Sequence, residues 1–245
     1  MELASLIGQL TAEGQLLIDA ARRAGWDAQV PAMEWTVREL VTHVGGVHRW
    51  AADIVTSARD AGDTAAGEAV GSGPGDDELA EWFENGHAAL VETLRSAPDD
   101  LTCFTFLPAE SPRQFWARRQ AHETAIHRVD AQGAAGMDIT PASPAFAQDG
   151  IGEILNGFAR RRANAIAVAA TLGLDAADGP SWLVRFGGER IESEQTEDLV
   201  GTDVTLRGLS SDLYYWLWNR PSAAVIDGDG SVAARWAGAV RVRWS

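Results

Sequence analysis

Cysteine is nearly absent. Cys103 is the only one in 245 residues, so no internal disulfide can form. That fits a reducing compartment, and the cytoplasm is the expected location. Long apolar runs are absent too, and no stretch reaches the roughly 18 uncharged residues a membrane span needs. The opening residues, Met1-Glu2-Leu3-Ala4-Ser5, lack the basic start and apolar run of a secretory leader. Positive charge is in deficit, with a formal net charge of −15. Such a surface repels phosphate backbones and argues against nucleic-acid binding. The densest basic cluster, Arg160-Arg161-Arg162, lies in an alanine-rich helical pattern and reads as a solvated face. There is no internal repeat and no low-complexity tract.

What is present is apolar mass. Hydrophobic residues make up 46% of the chain, enough for the core of one large domain or two ordinary ones. The ten tryptophans supply core and pocket-wall area.

Leu3, Leu6, Ile7, Leu10, Leu16 and Leu17 recur at helical spacing and predict a helix over 2–24, ended by Gly25. Thr36 with Glu39 three residues on is a capping box. It opens a second helix carrying Val37, Leu40, Val41, Val44, Val47, Ala51, Ile54 and Val55 to about 59. Residues 60–76 read as a loop. Asp76-Asp77 then open a third helix with acids in its first turn, favourable for the helix dipole. Leu101–Leu107 alternates enough to be extended. Ser111-Pro112 starts a fourth helix, running to about 132. Four such helices predict a bundle over residues 1–137.

Beyond a linker at 133–144 the pattern predicts a helix from about 144 to 172. Strands follow at 181–186, 189–194 and 203–209. Ser210-Ser211-Asp212 caps a short helix, Asp227-Gly228-Asp229-Gly230 makes a turn, and a short helix spans 232–236. Residues 239–244 alternate like a strand. Residues 138–245 are therefore expected to form a small α+β domain.

Five histidines are present: His43, His48, His87, His122 and His127. Glu123 and His127 stand four apart on the fourth helix, which puts both on one face, one turn apart. A carboxylate and an imidazole so placed could share one ion, and His43 on the second helix could supply a third ligand. By spacing alone, a Glu and a His four apart are more often an ordinary surface pair. Two His and one carboxylate would suit an open zinc site or a non-haem iron triad, so the metal stays undecided between them. The segment 122–127 is not the zincin pattern, because Ile126 stands where the second His would be. His122 and His127 are five apart and should not share an ion, and the same spacing separates His43 from His48.

Other candidates read as structural. Cys103 lies in an apolar run with no basic neighbour and reads as an inert thiol. Gly45-Gly46 and Gly187-Gly188 suit close packing or turns rather than a phosphate cradle. The Asp227 segment lacks the acidic residue a calcium loop needs at its twelfth position, where Gly238 stands.

Two stretches carry a resemblance. Trp35–Trp50 (WTVRELVTHVGGVHRW) and Phe115–Ala131 (FWARRQAHETAIHRVDA) resemble the N-terminal domain of the mycothiol-dependent maleylpyruvate isomerase family, a DinB-like metal-binding four-helix bundle. Asp149–Glu153, Leu206–Pro221 and Asp227–Asp229 are similar to that family's C-terminal, sterol-carrier-like α+β domain. The resemblance implies that His43, Glu123 and His127 ligate a divalent metal, and that mycothiol, a low-molecular-weight thiol, is a second cofactor. It implies thiol addition to a double bond, rotation and departure of the thiol. It also implies a catalytic role for Arg220, since an arginine can hold a substrate carboxylate bidentately.

The expectation is thus an α+β, two-domain metalloenzyme with a cleft between its domains. It would use zinc or another divalent ion and a thiol for isomerisation or thiol transfer on a small electrophile. No nucleic-acid or membrane partner is expected. Two alternatives stand beside it. One is a non-catalytic small-ligand-binding protein with a structural or vestigial metal. The other is a metal-dependent hydrolase that uses no thiol.

Overall fold

Leu6, Leu10, Leu17 and Ile18 share one buried face of α1 (Leu3–Ala24). The helix stops at Gly25, whose positive φ of 83° still lets its N–H reach the Ala21 carbonyl. The computed structural model describes residues 1–59, 73–109, 111–161 and 168–241. Most of the loop expected at 60–76, Arg162, part of the helix expected to 172 and the last residues of the strand expected at 239–244 lie outside them. The chain divides into two compact units, Met1–Thr140 and Pro141–Trp244.

The first unit is the expected bundle. Helix α2 (Val37–Ser57) begins with the capping box, the Thr36 side chain accepting from Glu39 N and Glu39 returning to Thr36 N at 2.7 Å. Helix α3 (Asp76–Ser96) carries Asp76, Asp77 and Glu78 in its first turn. Helix α4 (Pro112–Ala134) has Pro112 in its first turn and a Ser111 side chain that accepts from Gln114 N. α1 packs mainly on α4, and α2 on α3. The α2–α3 approach is close at Gly45, where an added Cβ would run into the Trp82 indole. Arg49 lies 3.8 Å from the centre of that indole.

Helix α4 is unlike the other three. It is buried nearly all round, yet carries Arg119, Gln120, His122, Glu123, Thr124, His127, Arg128, Asp130 and Gln132 among its buried residues. Buried polar groups are costly unless partnered, so this helix must satisfy them inside the protein. Arg128 donates to Glu13 on α1 at 2.7 Å and to the Thr140 carbonyl at 2.7 Å.

The segment 101–107 enters no strand. It packs through Phe104 and Phe106 in an aromatic group with Trp50, Phe115 and Trp116.

The second unit is α+β. Helix α5 (Pro144–Glu153) runs into a π-helical turn, Ile154–Phe158. Then come β1 (Ala170–Ala176), β2 (Trp182–Phe186), β3 (Glu192–Gln195) and β4 (Val204–Gly208). Helix α6 (Ser210–Leu217), β5 (Val225–Gly228) and α7 (Gly230–Ala239) complete it. The strand order is β3-β2-β1-β4-β5. β1 runs parallel to β4, and the other pairs are antiparallel. Leu174 stands opposite Trp182 on one side and Leu206 on the other.

Three expectations need correction here. The helix expected to 172 gives way to β1, the central strand. The Ala-rich run before it reads as helix, but pairing on both edges and burial of Ala170, Leu172 and Leu174 make Ala170–Ala176 a strand. Asp227 and Gly228, expected in a turn, close β5, and Asp229 instead caps α7 by accepting from Ser231 N at 2.8 Å. The strand expected at 239–244 begins inside α7, since Ala239 is helical. Among the described residues, no helix is long and apolar enough to cross a membrane.

Candidate metal centre

α2 and α4 pack against each other, and this brings His43 beside Glu123 and His127. Their candidate ligand atoms lie within 4.8 Å of one another. Glu123 Oε1 is 3.2 Å from His127 Nε2 and 3.6 Å from His43 Nε2. Ligand atoms about 2.0–2.2 Å from a common ion have separations of this order. The side chains of His43, Glu123 and His127 are only 11%, 2% and 8% exposed.

One atom tests whether these residues suit an ion. At 3.6 Å, His43 Nε2 is too far from Glu123 for a hydrogen bond, and it is buried without any hydrogen-bond partner. A buried ring nitrogen left open beside a carboxylate and a second imidazole fits a divalent cation.

The other Glu123 oxygen, Oε2, accepts from Arg119 Nη2 at 3.0 Å. His127 Nδ1 lies 3.0 Å from Asp130 Oδ2. Burial works against charge on Glu123, but His127, His43 and Arg119 outweigh it and hold the carboxyl well below its usual range. Burial likewise opposes charge on His127, yet Asp130 and Glu123 overcome it and raise the imidazole to about 9. Trp35 borders both imidazoles, with ring centres 4.9 Å from His43 and 6.3 Å from His127. It is held there by the Val30 N–H, which donates to the Trp35 carbonyl at 2.8 Å.

The remaining histidines stand apart from this group. His48 Nε2 meets Thr124 Oγ1 at 2.9 Å. Because that hydroxyl gives its proton to the Gln120 carbonyl, it accepts from His48, which fixes the tautomer. The His48 ring sits 5.1 Å from His87 and 5.4 Å from Phe83. Burial, then the neighbouring His87, hold His48 well below its usual pKa. Among the described residues, the groups of three or more potential ligands comprise His43, Glu123 and His127 alone. Cys103 is half-buried, and burial pushes its thiol up, in keeping with an inert side chain.

Residues 7–132 match the model of the mycothiol maleylpyruvate isomerase N-terminal domain, and residues 145–236 match the MDMPI C-terminal domain. The chain belongs to the mycothiol maleylpyruvate isomerase family. Two solved structures share its fold. A mutant of the mycothiol-dependent maleylpyruvate isomerase superposes with a TM-score of 0.64, at 16% identity and with 93% of each chain covered. The unmutated isomerase gives 0.62 at the same identity and coverage. No curated protein matches the chain by sequence. In this member of the isomerase family Arg220 lies in the second unit, just past α6. Its backbone N–H donates to the Tyr215 carbonyl and its Nη1 to the Trp218 carbonyl, both at 2.9 Å.

Sequence reasoning left three neighbours of the site without a role: Arg119, Asp130 and Trp35. The first two had a readable signal. Arg119, Glu123, His127 and Asp130 follow at spacings of four, four and three, one stripe along α4.

Proposed function

We propose that this protein is a metal-dependent enzyme of the maleylpyruvate isomerase type. It would use zinc or another divalent ion and a low-molecular-weight thiol, mycothiol in the family's name, for isomerisation or thiol transfer on a small electrophile. The observation that carries this reading is the meeting of His43, Glu123 and His127, with a buried His43 nitrogen that makes no hydrogen bond. When bound, a divalent ion at these residues would acidify a coordinated thiol or polarise a substrate oxygen.

His43 and His127 would each offer Nε2, and Glu123 would offer Oε1, while Arg119 balances the charge on Oε2. Trp35 would wall the site and exclude water on its side. Arg220 is proposed to hold a substrate carboxylate, where its planar fork suits two oxygens.

A set of three protein ligands favours the enzyme over the small-ligand-binding alternative, because an open position is the mark of a catalytic site. His48, which bonds Thr124 through Nε2, is not in the ligand group as a fourth member that would favour the alternative.

Elemental analysis of untagged wild-type protein and His127→Ala tests the metal. About one zinc per chain, lost in the variant, supports the reading, and no metal in either overturns it. Turnover of cis-enoyl carboxylic acids that requires added thiol separates the isomerase from a hydrolase. Arg220→Gln should raise KM for a carboxylated substrate more than for its ester.

A further inference from the structure

We propose that Asp130 is a positioning residue for the metal centre. Through a charge-assisted hydrogen bond to Nδ1, it turns His127 so that the Nε2 lone pair faces the ion. The inference rests on the metal reading above and concerns which ring nitrogen carries the proton.

A neutral imidazole has one N–H, and in His127 two carboxylates compete for it. Glu123 Oε1 lies 3.2 Å from Nε2, and Asp130 Oδ2 lies 3.0 Å from Nδ1. If Glu123 took the proton, Nε2 would carry hydrogen and could not bind an ion. A proton on Nδ1, donated to Asp130, leaves Nε2 as a bare lone pair on the edge that faces Glu123 and His43. Carboxylates paired in this way with a ligating histidine fix both tautomer and ring angle.

Burial requires the Asp130 carboxylate to be paired. Its side chain is 1% exposed and lies on α4 between Val129 and Ala131, which are also buried. An ionised carboxylate there is strongly disfavoured unless paired. Glu123, His127 and Asp130 fall on one stripe of the helix, with Asp130 on the side of His127 opposite the site. One rigid element therefore carries a ligand, a second ligand and the group that orients the second.

The test measures zinc affinity by chelator competition for wild type, Asp130→Ala and Asp130→Asn. It also reads the His127 tautomer by ¹⁵N NMR of the metal-free protein at about pH 10, where the ring is neutral. Expected are one zinc per wild-type chain and roughly 10- to 100-fold weaker binding in Asp130→Ala. The Nδ1-protonated signature should be lost in that variant. Asp130→Asn keeps an acceptor but loses the charge and should fall between the two. It also decides the matter if Asp130→Ala does not fold. Either variant binding zinc as tightly as wild type, with the tautomer unchanged, overturns the inference alone. Wild type that binds no zinc overturns the metal reading and this inference with it.

Discussion

Without an ion, His127 should make the protein's stability fall with rising pH. Its imidazole is raised from 6.5 to about 9 in the folded chain, and the ring is nearly buried, so solvent screens the effect little. At about 1.36 kcal/mol per pH unit, that displacement is worth on the order of 3 kcal/mol. The folded state binds the proton more tightly than the unfolded state does. The contribution is therefore complete below pH 6.5 and is lost as pH climbs through 9. His48 and His87 act in the opposite sense. Burial depresses both, so their contribution is complete above 6.5 and is lost on acidification. The metal-free protein should be most stable near pH 6.5. Urea unfolding of chelator-treated protein between pH 5 and 9.5 measures this, with His127→Gln as the control that lacks the alkaline slope. Zinc should flatten that slope, because binding must displace the His127 proton and so strengthens about tenfold per pH unit below 9, which offsets the loss in the metal-free protein. A metal-free wild type whose stability is flat or rising from pH 6.5 to 9, matching His127→Gln, would refute the reasoning.

Glu13→Ala leaves Arg128, which is fully buried, without the carboxylate it meets at 2.7 Å. It should cost about 3–5 kcal/mol in denaturant unfolding. Gly14→Ala should cost about 1–3 kcal/mol in the same assay, since the new methyl would meet the His87 ring. Trp35 should report on the site: cobalt(II) should quench part of the tryptophan emission of wild type and markedly less in Trp35→Phe, given the 4.9 Å approach to His43.

The bundle was legible because its signals are local. Helical spacing of leucines and valines, the Thr36–Glu39 box and Ser111-Pro112 each act within a turn or two of chain, and the helices begin and end close to where these place them. The second unit was less so. β1 is a strand only because β2 and β4 pair with its two edges, and the nearest partner lies several residues away in sequence. β5 exposes all four residues and has no buried alternation to read. Its place at the edge comes from pairing with β4.

The site divides in the same way. Sequence alone determined that Glu123 and His127 share a helix face, that His122 cannot join them, and that a single cysteine excludes an internal disulfide. The four-residue period of a helix is enough for that. Only the tertiary structure decided that this face is buried, that His43 on α2 meets it across the bundle, and that Trp35 borders both imidazoles. The physical reason is range. Backbone geometry fixes neighbours one turn apart, whereas the meeting of α2 with α4 depends on apolar burial summed over the whole bundle.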